Sequence, residues 1–141
     1  MKQIVYKGRI RGKFDGFNRD KIFKMDNGTF WVQSKYRYWY RYHYRPEVMI
    51  TLENDEYLLH VAGESIPVRR VYNVQESNIV GEFQGWDGEK KYKLMNGQVW
   101  QQIEYKYEYT YSYQPEAIIA EIRGRNIMYV EGTQVEVKRI A

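Results

Sequence analysis

The sequence repeats itself. Sliding the 141-residue chain along itself by 69 positions aligns residues 10–71 with 79–140 without a gap, and 22 of the 62 pairs are identical. Ile10, Gly12, Phe14 and Gly16 fall on Ile79, Gly81, Phe83 and Gly85. Asn27-Gly28 falls on Asn96-Gly97, Trp31 on Trp100, and Gln33 on Gln102. A fixed period of this size marks a repeated structural unit. It assigns residues 1–71 to one unit and 72–141 to a second. A unit of about 70 residues is marginal as an independent core, and residues 72–78 leave little slack between the aligned blocks. The expectation is two units packed into one pseudo-symmetric body.

Each copy carries a tyrosine ladder. Tyr36, Tyr38, Tyr40, Tyr42 and Tyr44 end at Pro46-Glu47; Tyr105, Tyr107, Tyr109, Tyr111 and Tyr113 end at Pro115-Glu116. A period of two puts alternate side chains on one face of a β-strand. The ladders lie in runs of 17 residues, 29–45 and 98–114, with no Gly or Pro inside. A straight strand of that length would span roughly 55 Å, more than a small domain holds, so each run must bend, with a bulge expected near Ser34 and Ile103. Before each run an Asn-Gly pair predicts a hairpin turn. After it, short strands are predicted over 48–52, 57–61 and 66–71, and in the copy over 117–122, 127–130 and 135–140. No segment has a sustained helical period. Five or six short strands per copy, joined by tight turns, predict an all-β protein of two tandem small SH3-like β-barrel repeats.

The second copy reads Gly81-x-Phe83-x-Gly85-Trp86, then Leu94-x-Asn96-Gly97-Gln98-x-Trp100-Gln101-Gln102, then the ladder. This resembles a group of small uncharacterised bacterial all-β domains, some encoded on integron or other mobile gene cassettes. The first copy is looser, with Thr29 in place of Gln98 and Val32 in place of Gln101. The resemblance implies a small β domain and carries no activity.

Function is read mostly by exclusion. There is no Cys, so neither a disulfide framework nor a thiolate metal site can form. The two histidines, His43 and His60, have no carboxylate at a ligand spacing. No nucleophile elbow and no phosphate-binding Gly-rich loop is present. No cofactor, metal or catalytic residue is assigned, and a non-enzymatic protein is expected. The opening residues lack the apolar run of a signal peptide, so the expected compartment is the cytoplasm, with no membrane partner.

Net charge is +4 but unevenly spread: residues 1–71 hold 14 Lys and Arg against 8 Asp and Glu, and residues 72–141 hold 8 against 10. Ten exposed rings would form a large sticky patch, so the Tyr faces are read as core or as packing between the copies. The row behind the first ladder, Lys35, Arg37, Trp39, Arg41, His43 and Arg45, is then the exposed face and the candidate binding site. Trp31, Gln33, Trp100 and Gln102 are secondary candidates, as core or as the floor of a shallow pocket. The expected function is a protein-interaction or assembly module, with a protein partner or a second copy of the chain. The alternative is a weak nucleic-acid binder that uses the basic row.

Overall fold

A computed structural model describes residues 2–141, and every regular element among them is a β-strand. The chain divides into two compact units, Met1–Val71 and Tyr72–Ala141.

The first unit holds β1 (Gln3–Arg9), β2 (Lys13–Phe17), β3 (Ile22–Lys24), β4 (Phe30–Gln33), β5 (Trp39–Tyr44), β6 (Glu47–Glu53), β7 (Glu56–Val61) and β8 (Glu64–Val71). Six of these form an antiparallel sheet in the order β1-β6-β7-β8-β4-β3, while β2 and β5 pair only with each other as a ribbon. Sheet and ribbon share one long antiparallel pair. β1 leads into β2 and β5 into β6, with Gln3 opposite Leu52 at one end and Phe17 opposite Trp39 at the other. The pair turns a corner midway. There Arg45, at φ 49°, donates its N–H to Gly12 O at 2.8 Å. Arg9 braces the corner, donating from Nη1 to Arg45 O at 2.7 Å and from Nη2 to Glu47 Oε1 at 3.2 Å.

The second unit holds β9 (Val74–Asn78), β10 (Glu82–Phe83), β11 (Trp86–Asp87), β12 (Lys91–Lys93), β13 (Val99–Gln102), β14 (Tyr107–Glu108), β15 (Ser112–Tyr113), β16 (Glu116–Ile122), β17 (Arg125–Val130) and β18 (Thr133–Arg139). Its sheet runs β12-β13-β18-β17-β16-β9, and its ribbon is two short pairs, β10 with β15 and β11 with β14. Residues 74–78, read from the sequence as part of a join between the copies, are a strand paired along β16 from Asn78–Glu116 to Val74–Ala120. The sequence hid this strand because Val-Gln-Glu-Ser-Asn has no apolar alternation of its own.

None of the sheets closes into a barrel, which corrects the expectation of two small SH3-like β-barrels on that point. Among the described residues the edge strands meet at one bridge, Ile10 opposite Met25, flanked by Arg11 N–H to Lys24 O at 2.8 Å and Asp26 N–H to Arg9 O at 2.9 Å. The physical reason is the corner: at Gly12 the chain leaves for the ribbon before it can run alongside β3, itself three residues long. In the second unit the contact is Ile79 with Leu94.

Each unit has its own core. In the first, Phe14, Phe17 and Phe23 pack with Trp31, Ile50, Leu59, Ile66 and Val68. In the second, Phe83, Trp86, Tyr92 and Trp100 pack with Ile119, Met128, Val135 and Val137. Edge-on and tilted ring contacts at 5.0–6.3 Å join the aromatic residues, a geometry that favours aromatic pairs beyond their area alone.

Candidate functional site

The tyrosine rows face outward. In the first ladder all five rings are 53–67% exposed, and in the second 53–86%. This overturns the reading of the rows as core. It is the residues behind them that turn toward the units' cores: Arg37, Trp39 and His43 are half-buried, as are Lys106, Thr110 and Ser112. The core is instead filled by β2, β4 and the sheet, whose Phe, Trp and aliphatic side chains leave no room for ten phenols.

Three local devices hold each ladder in this attitude. The first is the Asn-Gly turn. Asn27 Oδ1 accepts the Thr29 N–H at 3.1 Å, and Thr29 Oγ1 accepts the Trp31 indole N–H at 3.1 Å. In the second unit Asn96 Oδ1 accepts from Gln98 N at 3.0 Å, and Gln98 Oε1 accepts from Trp100 Nε1 at 3.0 Å. Each Trp is thereby steered into the core with its one polar atom satisfied.

The second device is the buried glutamine at the bend. Gln33 is 1% exposed; its Oε1 accepts from Asn18 N at 2.9 Å, and its Nε2 donates to Lys35 O at 2.9 Å and Arg37 O at 3.1 Å. Gln102 repeats this on Asp87 N at 3.1 Å, Glu104 O at 2.9 Å and Lys106 O at 2.8 Å. The chain can leave strand geometry between β4 and β5 because one amide satisfies the backbone groups that the ladder no longer pairs.

The third is a glycine bulge. The register of β2 on β5 slips between Phe14 and Gly16, and Gly16 sits at φ +106° directly against the Trp39 carbonyl.

The predicted basic row does not act as one face. Arg37 donates to Ser65 O at 3.1 Å, pairs with Glu64 and lies 5.6 Å over the Phe17 ring. Its counterpart Lys106 donates to Gln134 O at 2.8 Å, so this position anchors each ribbon on the last strand, β8 or β18, of its own unit. Trp39 packs on Phe17 at 5.0 Å and on Phe14 at 6.1 Å. His43 places Nε2 in a buried spot with no hydrogen-bond partner among the described residues. Arg45 pairs with Asp26 at 3.1 Å. Lys35 and Arg41 are exposed and make no ion pair among the described residues. Trp31, Gln33, Trp100 and Gln102 are buried.

What sequence reasoning missed is the outward tyrosine row. The available signal was the row behind it: position 39 is Trp and position 43 is His, side chains that tolerate a wall of protein better than a wall of water.

Electrostatics adds little chemistry. Glu82, whose Oε1 accepts from Tyr111 OH at 3.4 Å, raises the Tyr111 pKa above its ordinary value. Burial, and then Asp87, push the Tyr92 phenol up; it donates to Gly85 O at 2.7 Å. A shallow open groove of about 430 Å³ lies against the second ribbon, lined by Trp86, Asp87, Lys90, Tyr107 and Tyr109 among others. Among the described residues no group of three or more His, Asp or Glu could hold a metal ion, and no helix is long and apolar enough to cross a membrane.

His60 sets a pH dependence. Its Nε2 lies 2.8 Å from the Oγ1 of fully buried Thr51. Burial, and then Lys2, hold its pKa below the ordinary 6.5, partly opposed by Glu53. Folding therefore favours the neutral ring. That contribution is complete above pH 6.5 and is lost as pH falls through the depressed folded-state value. Thermal melts of the wild type should lose stability on acidification below about pH 6.5, and His60→Gln should flatten that part of the profile.

No protein-family model, no curated protein and no solved structure matches the chain.

Proposed function

We propose that the chain is a non-enzymatic interaction or assembly module, built from two copies of one partly open SH3-like β unit and acting in a bacterial cytoplasm. It works through the outward tyrosine rows of its ribbons. The observation that carries the reading is the exposure of all ten ladder tyrosines in two ordered rows. Soluble proteins rarely leave so many rings together in water without a use for them. Tyrosine is favoured in binding surfaces because it offers a large amphipathic area with little rotamer entropy to lose. The duplication is supported by the 22 identities and by hydrogen bonds that recur 69 residues apart, such as those of Gln33 and Gln102. The compartment and source rest on the absence of Cys and on the resemblance of residues 79–140.

The test is a variant with Tyr38, Tyr40, Tyr42, Tyr107, Tyr109 and Tyr111 changed to Ser. Its melting temperature should stay within a few degrees of wild type, since exposed side chains carry little stability. Its self-association and its capture of defined protein partners should disappear. A wild type that neither self-associates nor holds a partner sinks the reading.

A second reading, binding to single-stranded nucleic acid, is favoured by one observation. Lys35 and Arg41 flank exposed rings, and the Arg19 guanidinium lies 5.6 Å over the Tyr36 ring. Bases stack on such rings while cations meet phosphates. Oligonucleotide binding at low salt that collapses as salt rises, and is lost in the K35E/R41E variant, would place the module in that class; no binding at low salt removes it.

A further inference from the structure

The two ladders have the same tyrosines and opposite surroundings. The first ribbon, residues 13–20 with 35–45, holds six Lys and Arg against two Asp, a balance of +4. The second, residues 82–89 with 104–114, holds Lys106 alone against five carboxylates, a balance of −4. Each ladder strand also keeps one open edge. Among the described residues β5 pairs only with β2, β14 only with β11, and β15 only with β10. An open edge presents backbone N–H and C=O groups ready to pair with another chain.

We propose that the protein assembles head to tail, with the basic ladder of one copy adding edge to edge, antiparallel, to the acidic ladder of the next. This rests on the interaction-module reading and names its partner: a second copy of the same chain. The register follows from the sequence. Setting Tyr40 opposite Tyr109 places Tyr36, Tyr38, Tyr42 and Tyr44 opposite Tyr113, Tyr111, Tyr107 and Tyr105. In that same register Arg41 meets Glu108 and Arg45 meets Glu104. Arg41 with Glu108 and Tyr42 with Tyr107 lie in regular strand on both sides, β5 and β14, and form the centre of the new boundary; the outer Arg45–Glu104 pair requires Arg45 to leave Asp26 and Glu104 to leave the Glu136 N–H. Directly opposed pairs of these kinds stabilise an antiparallel edge.

Pairing like with like gives no such match. Two basic ladders centred on Tyr40 bring Lys35 against Arg45, and two acidic ladders centred on Tyr109 give no Arg–Glu pair. Complementary charge therefore selects the unlike pair and disfavours the like ones. Arg41 and Glu108 are exposed and engaged in no ion pair among the described residues, so the central contact displaces nothing. A head-to-tail interface of this kind leaves one basic and one acidic edge over, so assembly continues into rings or open chains.

The experiment is sedimentation velocity on the full chain across a concentration series and at low and high salt, with circular dichroism confirming the fold of each variant. Wild type should form species larger than a dimer, weakened by salt. R41E alone and E108R alone should each associate at least about tenfold more weakly, a penalty within the range of like-charge contacts at an interface. Mixed together, the two single variants should assemble beyond a heterodimer, because Arg41 of E108R meets Glu108 of R41E at one edge and the two exchanged positions bring opposite charges together at the other. The double variant R41E/E108R should regain wild-type assembly. A wild type that stays monomeric throughout overturns the proposal. So does self-association that R41E and E108R leave unchanged. If the tyrosine-to-serine variant abolishes that unchanged association, this register fails while the ribbons remain interaction surfaces. If the serine variant leaves it intact as well, the interaction-module reading fails too.

Discussion

Replacing Gly16 with alanine is expected to cost the first unit about 3 kcal/mol or more, and Gly85→Ala to do the same to the second. Both glycines adopt a backbone conformation that side chains resist, φ +106° and +98°, a strain of about 1–3 kcal/mol in itself. The larger part is steric. A Cβ at Gly16 would stand 1.9 Å from the carbonyl oxygen of Trp39, and one at Gly85 would stand 1.9 Å from that of Glu108. These are backbone atoms of the ladder strand, so no rotamer change relieves the overlap and the strand must lift. A unit of this size holds roughly 4–10 kcal/mol in total. The melting temperature should therefore drop by more than about 10 °C, at about 4–8 °C per kcal/mol. Gly28→Ala is the control: its φ is +86°, but a Cβ there meets nothing within 4 Å. If Gly16→Ala melts with Gly28→Ala, the ribbon is not seated on β2 as described.

Gln33→Leu and Gln102→Leu should each destabilise their unit by about 2–5 kcal/mol. Leucine fills similar space but strands one backbone N–H and two carbonyls, Asn18, Lys35 and Arg37 in the first unit. Burying polar groups without partners is costly. Gln33→Glu separates polarity from shape. A carboxylate keeps the acceptor for Asn18 N but sets negative charge against two carbonyls, so the folded state raises its pKa. The stability of that variant should be greatest at acidic pH and should fall as pH rises through the raised value. Denaturant melts at several pH values check it; a variant as stable at pH 8 as at pH 5 would show that the carbonyls do not face that side chain.

Much of the architecture could be read in the residues. The Asn-Gly turns, the bend after Gln33 and the strands after Pro46 follow from turn chemistry and strand length, which are local. Two things were not local. Closure of the sheet depends on where β1 stops, and that is set at the Gly12–Arg45 corner by a contact between residues far apart in sequence. Which face of the ladder is buried depends on what else fills the core. Alternation announces two faces and does not say which is dry, and ten tyrosines looked more like filling than surface. Arg37 misled for a related reason. A guanidinium in a basic row reads as a binding group until Ser65 and Glu64, distant in sequence, are found beneath it. Trp39 and Glu108 occupy equivalent positions with opposite character, and the exchange works because Trp86 stands where Phe17 does and supplies the missing ring.

That exchange leaves the two ribbons unequally held. The first is a continuous pair, pinned to its core by Trp39. The second is broken into two pairs of two residues, with exposed Glu108 where the pin would be. Local opening begins where few apolar contacts oppose it, so hydrogen exchange is expected to reach the amides of the acidic ribbon before those of the basic one, at a free energy below that of global unfolding. On that expectation the basic ladder is the stiffer aromatic strand and the acidic ladder the more compliant one. In any meeting between them, the compliant strand adjusts its twist and bulges to the stiff one.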